Sequence, residues 1–171
     1  MGAMGEANGK FFLNQIIEIL SYMHNRGTVH RDLKLENILC DPQLNIKLAD
    51  FGFSRSDNIE SLNSIAGTEN YIAPEIRSLA KTQGESATRY DGRKADLFSV
   101  GVILFLLVKG TYPFLNADEE DFYYSKIIAG DADAYFAWVD KEQTLSSEFK
   151  DLVWKLLCPA SEDRPSLEDI R

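Results

Sequence analysis

His30-Arg31-Asp32-Leu33-Lys34-Leu35-Glu36-Asn37 sets two carboxylates, two cations and an amide along one short stretch, and Asp50-Phe51-Gly52 follows downstream. Between them lie the apolar run Ile38-Leu39-Cys40 and the alternating Asn45-Ile46-Lys47-Leu48, separated by Asp41-Pro42-Gln43. This spacing predicts two short strands around a turn. Upstream, Phe12, Ile16, Ile19, Leu20 and Met23 recur at helical spacing from about Gly9 to Asn25. Arg26-Gly27 closes that helix, glycine being suited to a left-handed exit.

Downstream, the chain from Gly92 to Lys109 is apolar nearly all round, so this helix is expected to be buried on every face. Leu97 to Val108 is too short to span a bilayer. Pro74 suits the first turn of a short helix. Ser146 or Ser147 is placed to cap a helix carrying Phe149, Leu152, Val153 and Leu156 and stopped by Pro159. Asp118-Glu119-Glu120-Asp121 reads as a helix's first turn complementing its dipole, rather than an acidic binding patch, with the helix running to about Ala129. The stretches 54–64 and 82–89 carry no periodicity and read as surface loops, the former mobile.

With 171 residues the chain can build one domain around a real core. A net charge of −9 leaves no basic stripe for phosphates, which argues against a nucleic-acid partner. Cys40 and Cys158 lie far apart and, with only His24 and His30 beside them, show no zinc spacing. Both read as reduced packing residues of an intracellular, cytoplasmic protein. Met1-Gly2-Ala3-Met4 reads as an expression scar, leaving residues 5–171 as the domain.

The pattern H-R-D-L-K-x-x-N, then Asp50-Phe51-Gly52, then Ala73-Pro74-Glu75, resembles the catalytic loop, magnesium motif and activation-segment end of eukaryotic protein kinases. The stretch from Tyr90 to Phe114 looks closest to the calcium/calmodulin-dependent kinase-like group. The resemblance implies a mainly α fold with small β ribbons, the kinase C-lobe without the N-lobe. It implies transfer of the γ-phosphoryl group of ATP to protein Ser/Thr hydroxyls, with Mg2+ as cofactor. Asp32 would be the catalytic base, Lys34 would stabilise charge on the transferred group, and Thr68 would contact the base and favour Ser/Thr hydroxyls. Asn37 and Asp50 would hold magnesium as hard oxygen ligands, and Leu39 would floor the adenine pocket. His30 and Phe51 are expected to pack, Asp96 to cap backbone amides of the catalytic loop, and Glu75 to pair with Arg164. Ser64 is a candidate regulatory phosphosite, with Arg31 and Arg55 as partners for the phosphate. Ser54, His30 and an aspartate do not make a hydrolase triad, because no nucleophile-elbow pattern surrounds them.

Two positions depart from the family. Phe98 stands where tryptophan is usual. A second acidic reader of basic substrates falls at Leu106, so Glu36 alone is a poor basis for a basic-peptide preference. No glycine-rich phosphate loop, strand lysine or partner glutamate precedes residue 10. The chain alone is therefore expected to be inactive and to self-associate through apolar surface around Leu39 and Phe51. The competing expectation is a non-catalytic binding or scaffold module.

Overall fold

One helix, α3 (Gly92–Lys109), forms the post on which the other elements are hung. Asp91 caps it by accepting the Arg93 N–H, and Gly110 leaves it in the left-handed conformation at φ 73°. Val100, Val102 and Ile103 are fully buried on different sides of it, as an all-round apolar helix requires. The structure, a computed structural model, describes residues 2–56, 62, 64, 66–81 and 89–171, with Ala80 and Lys81 as backbone only. The predicted loop at 82–89 therefore lies, except for Arg89, outside the described residues.

Helix α1 (Gly5–His24) and helix α6 (Ser147–Leu156) pack on α3. Both approaches need glycine. A Cβ on Gly9 would meet Val108 Cγ2 at 2.5 Å, and one on Gly101 would meet Leu156 Cβ at 2.8 Å. Helix α1 starts four residues before the apolar pattern does, because tertiary bonds hold its first turn. The Met4 N–H donates to Leu107 O at 3.0 Å, and the Glu6 carboxylate accepts from the Ser146 N–H and hydroxyl, both at 2.6 Å. Ser146 meanwhile caps α6 through the Phe149 N–H, the role its position predicts.

Strands β1 (Ile38–Cys40) and β2 (Ile46–Leu48) form an antiparallel ribbon with Ile38 opposite Leu48 and Cys40 opposite Ile46. Ile46 is buried, whereas Leu39 and Cys40, at the outer end of the ribbon, are exposed. Cys40 is thus exposed and does not pack, contrary to expectation; Cys158 is half-buried, and both thiols are free. Helix α2 (Pro74–Lys81) begins at Pro74, as expected.

The acidic run behaves differently from its prediction. Helix α4 is confined to Tyr124–Ile128, because Asp121 holds a turn ahead of it. The Asp121 carboxylate accepts N–H bonds from Leu115, Asn116, Tyr123 and Tyr124, at 2.8–3.2 Å. Helix α5 (Ala132–Val139) was not foreseen. Asp131 caps it through the Ala134 N–H, and it buries Tyr135 against Trp154 of α6. Helix α7 (Leu167–Ile170) closes the described chain with a Ser166–Asp169 capping box.

Asp140, just past α5, ties α3, α5 and α6 together. Its buried carboxylate takes Lys150 Nζ at 2.9 Å, Lys109 Nζ at 3.3 Å and the N–H groups of Thr144 and Leu145. Burial opposes its charge, but the Lys150 ammonium and the Thr144 and Leu145 donors outweigh it and hold the carboxyl well below the usual carboxylate range. The folded state therefore binds this proton more weakly than the unfolded state does. Its stabilisation is complete above the unfolded value near ~3.9 and is lost progressively as pH falls below that. Asp140→Asn is expected to cost about 1.5–3 kcal/mol at pH 7, as for hydrogen bonds to a charged group. Urea midpoints should show that deficit shrinking from pH 6 to pH 3.

Candidate active site

The loop from His30 to Asn37 is held from below by α3. Asp96, buried on α3, accepts the His30 N–H at Oδ2 (3.0 Å) and the Arg31 N–H at Oδ1 (2.9 Å). His24, in the last turn of α1, adds a third bond to Asp96 Oδ2, Nε2 lying 2.9 Å away. Three donors satisfy a carboxylate that burial alone would make costly. They also hold Arg31 at φ 69°, a left-handed conformation that a bulky residue adopts only when its surroundings enforce it.

Above that base the side chains of Asp32, Lys34 and Thr68 meet. The Thr68 hydroxyl donates to Asp32 Oδ1 at 2.7 Å, Lys34 Nζ lies 2.8 Å from Asp32 Oδ2, and Lys34 Nζ donates to Thr68 Oγ1 at 2.7 Å. The Asp32 carboxylate holds the Lys34 ammonium above the ordinary lysine range. Asn37 donates from its amide nitrogen to Asp32 O at 2.9 Å, so its oxygen Oδ1 is the atom it could offer a cation. The Ala49 N–H donates to Asn37 O at 2.8 Å, so the ribbon brings Asn37 and Asp50 to the same end. Asp50 is exposed at φ 58° and accepts the Gly52 N–H at 3.2 Å.

Among the described residues no three His, Cys, Asp or Glu side chains cluster as a metal cage. Magnesium needs none: it commonly takes one or two protein oxygens and completes its shell with water and phosphate. The Asn37 amide oxygen and the Asp50 carboxylate fit that donor set. Leu39 is 56% exposed on the outer face of β1. Phe51 is half-exposed, with one face 5.2 Å from the buried His30 ring. The His30 ring bonds Ala49 O at 3.2 Å, and the Ser54 hydroxyl donates to the His30 carbonyl at 3.5 Å.

At the edge of the site, the Tyr71 hydroxyl donates to Glu36 Oε2 at 3.4 Å and meets the Tyr112 hydroxyl at 3.2 Å. Burial, Tyr112 and Glu36 all push the Tyr71 phenol up, so it stays a neutral donor. Glu75 and Arg164 form a two-pronged ion pair, both contacts at 2.7 Å. The Arg164 guanidinium lies 5.0 Å over Phe98, so the ring that replaces tryptophan provides a stacking face. Arg31 donates to Ser64 Oγ at 2.7 Å, whereas Arg55 joins the site through its backbone pairing with Val29. Sequence reasoning missed His24, Tyr90 and Tyr112; each acts across a long sequence separation, with no local pattern to announce it.

The chain resembles known proteins along its whole length. It is 43% identical over 136 residues to CBL-interacting serine/threonine-protein kinase 26 of Arabidopsis thaliana, covering 76% of this chain and 28% of that one. It is 35% identical over 172 residues to CBL-interacting protein kinase 24 of Oryza sativa subsp. japonica, covering 99% and 34%. Against an abscisic acid-inducible protein kinase of Triticum aestivum the identity is 42% over 121 residues, covering 69% and 34%. The chain thus spans about a third of the length of these relatives. The protein kinase domain profile matches residues 1–171 in full, and the chain belongs to the protein kinase family.

Proposed function

We propose that this chain is the catalytic-loop lobe of a serine/threonine protein kinase that transfers the γ-phosphoryl group of ATP to Ser or Thr hydroxyls of protein substrates. The observation that carries this reading is the contact of Asp32, Lys34 and Thr68 within 2.8 Å of one another. Asp32 orients the incoming hydroxyl and takes its proton, while Lys34 balances charge on the transferred group. Thr68 fixes the base and shapes the approach. Asn37 and Asp50 hold magnesium, which when bound neutralises charge on the phosphate oxygens. Leu39 offers the adenine an apolar platform.

The test is transfer of labelled phosphate from ATP to Ser/Thr and Tyr peptides. The 171-residue chain alone is expected to label neither, because this chemistry needs a closed site that holds both sides of the nucleotide. Joined behind a kinase N-lobe, it is expected to label only the Ser/Thr peptide. A joined form that binds nucleotide yet labels nothing would favour the non-catalytic module.

Ser64 is the proposed regulatory phosphosite, since Arg31 already touches its hydroxyl. A phosphate there would turn a cation-to-hydroxyl bond into an ion pair with a doubly charged acceptor. In the joined form, Ser64→Ala is expected to lower activity after treatment with an activating kinase; unchanged activity would remove the assignment. The chain alone is further proposed to pair with a second copy through apolar surface around Leu39 and Phe51, each about half-exposed. Light scattering is expected to show mass rising above a monomer with concentration, and Leu39→Lys is expected to reverse this.

A further inference from the structure

Arg31 is almost wholly buried, 6% exposed, yet among the described residues no carboxylate lies within ion-pair distance of it. Its guanidinium is held by neutral groups. Nε donates to the Tyr90 hydroxyl at 3.0 Å, and Nη2 to the carbonyl and hydroxyl of Ser64 at 2.5 and 2.7 Å. Nη1 reaches the Phe53 carbonyl at 3.5 Å. A buried cation in such a setting is stable only while its donors stay satisfied.

Tyr90 supplies more than one of those bonds. It lies immediately before the α3 cap, 5% exposed, and its hydroxyl accepts from Arg31 while donating to Ser64 O at 3.0 Å. Its backbone pairs with Leu62 in both directions, at 2.8 and 2.9 Å. Leu62 in turn is buried against α3, where a Cβ on Gly92 would meet its Cδ1 at 2.8 Å. Leu62 and Ser64, in the stretch expected to be a mobile surface loop, are thus both bonded by Tyr90, with Arg31 adding two bonds at Ser64; residues 57–61 and 63 lie outside the described residues.

We propose that the Tyr90 hydroxyl is a positioning group that couples the segment around Ser64 to the loop carrying Asp32. Among the described residues the phenol is the one side chain that bonds both partners, with its single proton directed to Ser64 O and its oxygen receiving Arg31 Nε. Arg31 is then fixed at both ends, its N–H by Asp96 and its guanidinium by Tyr90 and Ser64, and Asp32 is the next residue. A change of charge at Ser64 therefore reaches the proposed base through an arginine whose aim Tyr90 sets. The kinase reading enters only through the role given to Asp32; the clamp itself stands on its own geometry.

The test uses the full chain and no catalytic readout, so its failure is distinct from failure of the kinase reading. In the unaltered chain, the Arg31 Nε–H resonance is expected to be protected from solvent exchange. Tyr90→Phe keeps the ring and the backbone pairing but removes the hydroxyl. It is expected to abolish that protection and to speed amide exchange of Leu62 about fivefold, the effect of one lost net hydrogen bond. Amides of α1 and α3 should be unchanged. Ser64→Ala should keep the Arg31 Nε–H protected, because Tyr90 accepts it. An unprotected Nε–H in the unaltered chain would overturn the proposal, a result that holds even if the variant does not fold. So would a Tyr90→Phe chain that matches the original, or one whose exchange rises evenly everywhere, or equal loss of protection in Ser64→Ala.

Discussion

Asp32→Asn in the lobe joined to a kinase N-lobe is expected to lower phosphoryl transfer by about 10²–10⁴-fold, the range set by loss of a positioned acid–base group. Nucleotide affinity should scarcely change. Asn37 and Asp50, not Asp32, supply the oxygens proposed for magnesium, and Leu39 is the proposed apolar platform. Asparagine keeps the shape and still accepts the Thr68 hydroxyl at one oxygen, so the 2.7 Å contact survives in outline. What it loses is the negative charge that pairs with Lys34 at 2.8 Å and the ability to take a proton. The Lys34 ammonium, now held above its ordinary range by that carboxylate, should fall back toward it. Asp50→Asn should act differently, weakening magnesium-dependent nucleotide binding as well as transfer. Steady-state rates with calorimetric binding separate the two variants. Full activity in Asp32→Asn would remove Asp32 from the role of base and with it the proposed mechanism.

The parts of this site that are legible in sequence are those that lie close together in the chain. Asp32, Lys34 and Asn37 fall within one loop, and the ribbon that follows has a clear alternation, so their grouping needs no long-range information. Helix α3 is equally plain, because burial on all faces leaves an unbroken apolar run. Helix α5 was not legible: it is short, its cap is a lone Asp131, and Trp138 on it is 47% exposed, so no stripe forms. The start of α4 was misplaced because acids can serve a turn as well as a helix. Asp121 spends its carboxylate on four backbone donors before the helix begins. His24 and Tyr90 escaped notice for a different reason. Their partners, Asp96 and Arg31, are 72 and 59 residues away, and a single polar side chain at the end of an element has no periodicity to reveal it.

Glu75→Ala is expected to be the most damaging change outside the catalytic loop, because it strands a cation that has no route to water. Arg164 is fully buried in its side chain, whereas Glu75 keeps 17% exposure. The guanidinium makes two contacts of 2.7 Å to Glu75, with further bonds to the carbonyls of Cys158, Lys94 and Pro159. It also stacks on Phe98. Removing the carboxylate leaves the charge and those neutral acceptors in place, and the charge then stands uncompensated in the core. Breaking a buried pair in this way costs about 3–5 kcal/mol. For a domain of this size that is a shift of roughly 6–20 °C in melting temperature, at about 2–4 °C per kcal/mol. Glu75→Gln should cost less, since the amide oxygen still accepts one guanidinium bond and no cavity forms. Arg164→Met should also fall short of Glu75→Ala: the stranded carboxylate is partly hydrated, and the thioether fills space beside Phe98. Melting temperatures of the three variants therefore order as Glu75→Ala lowest. If Glu75→Ala melts within about 2 °C of the original chain, less than 1 kcal/mol is at stake. The ion pair then does not hold the end of the activation segment to the base of the lobe.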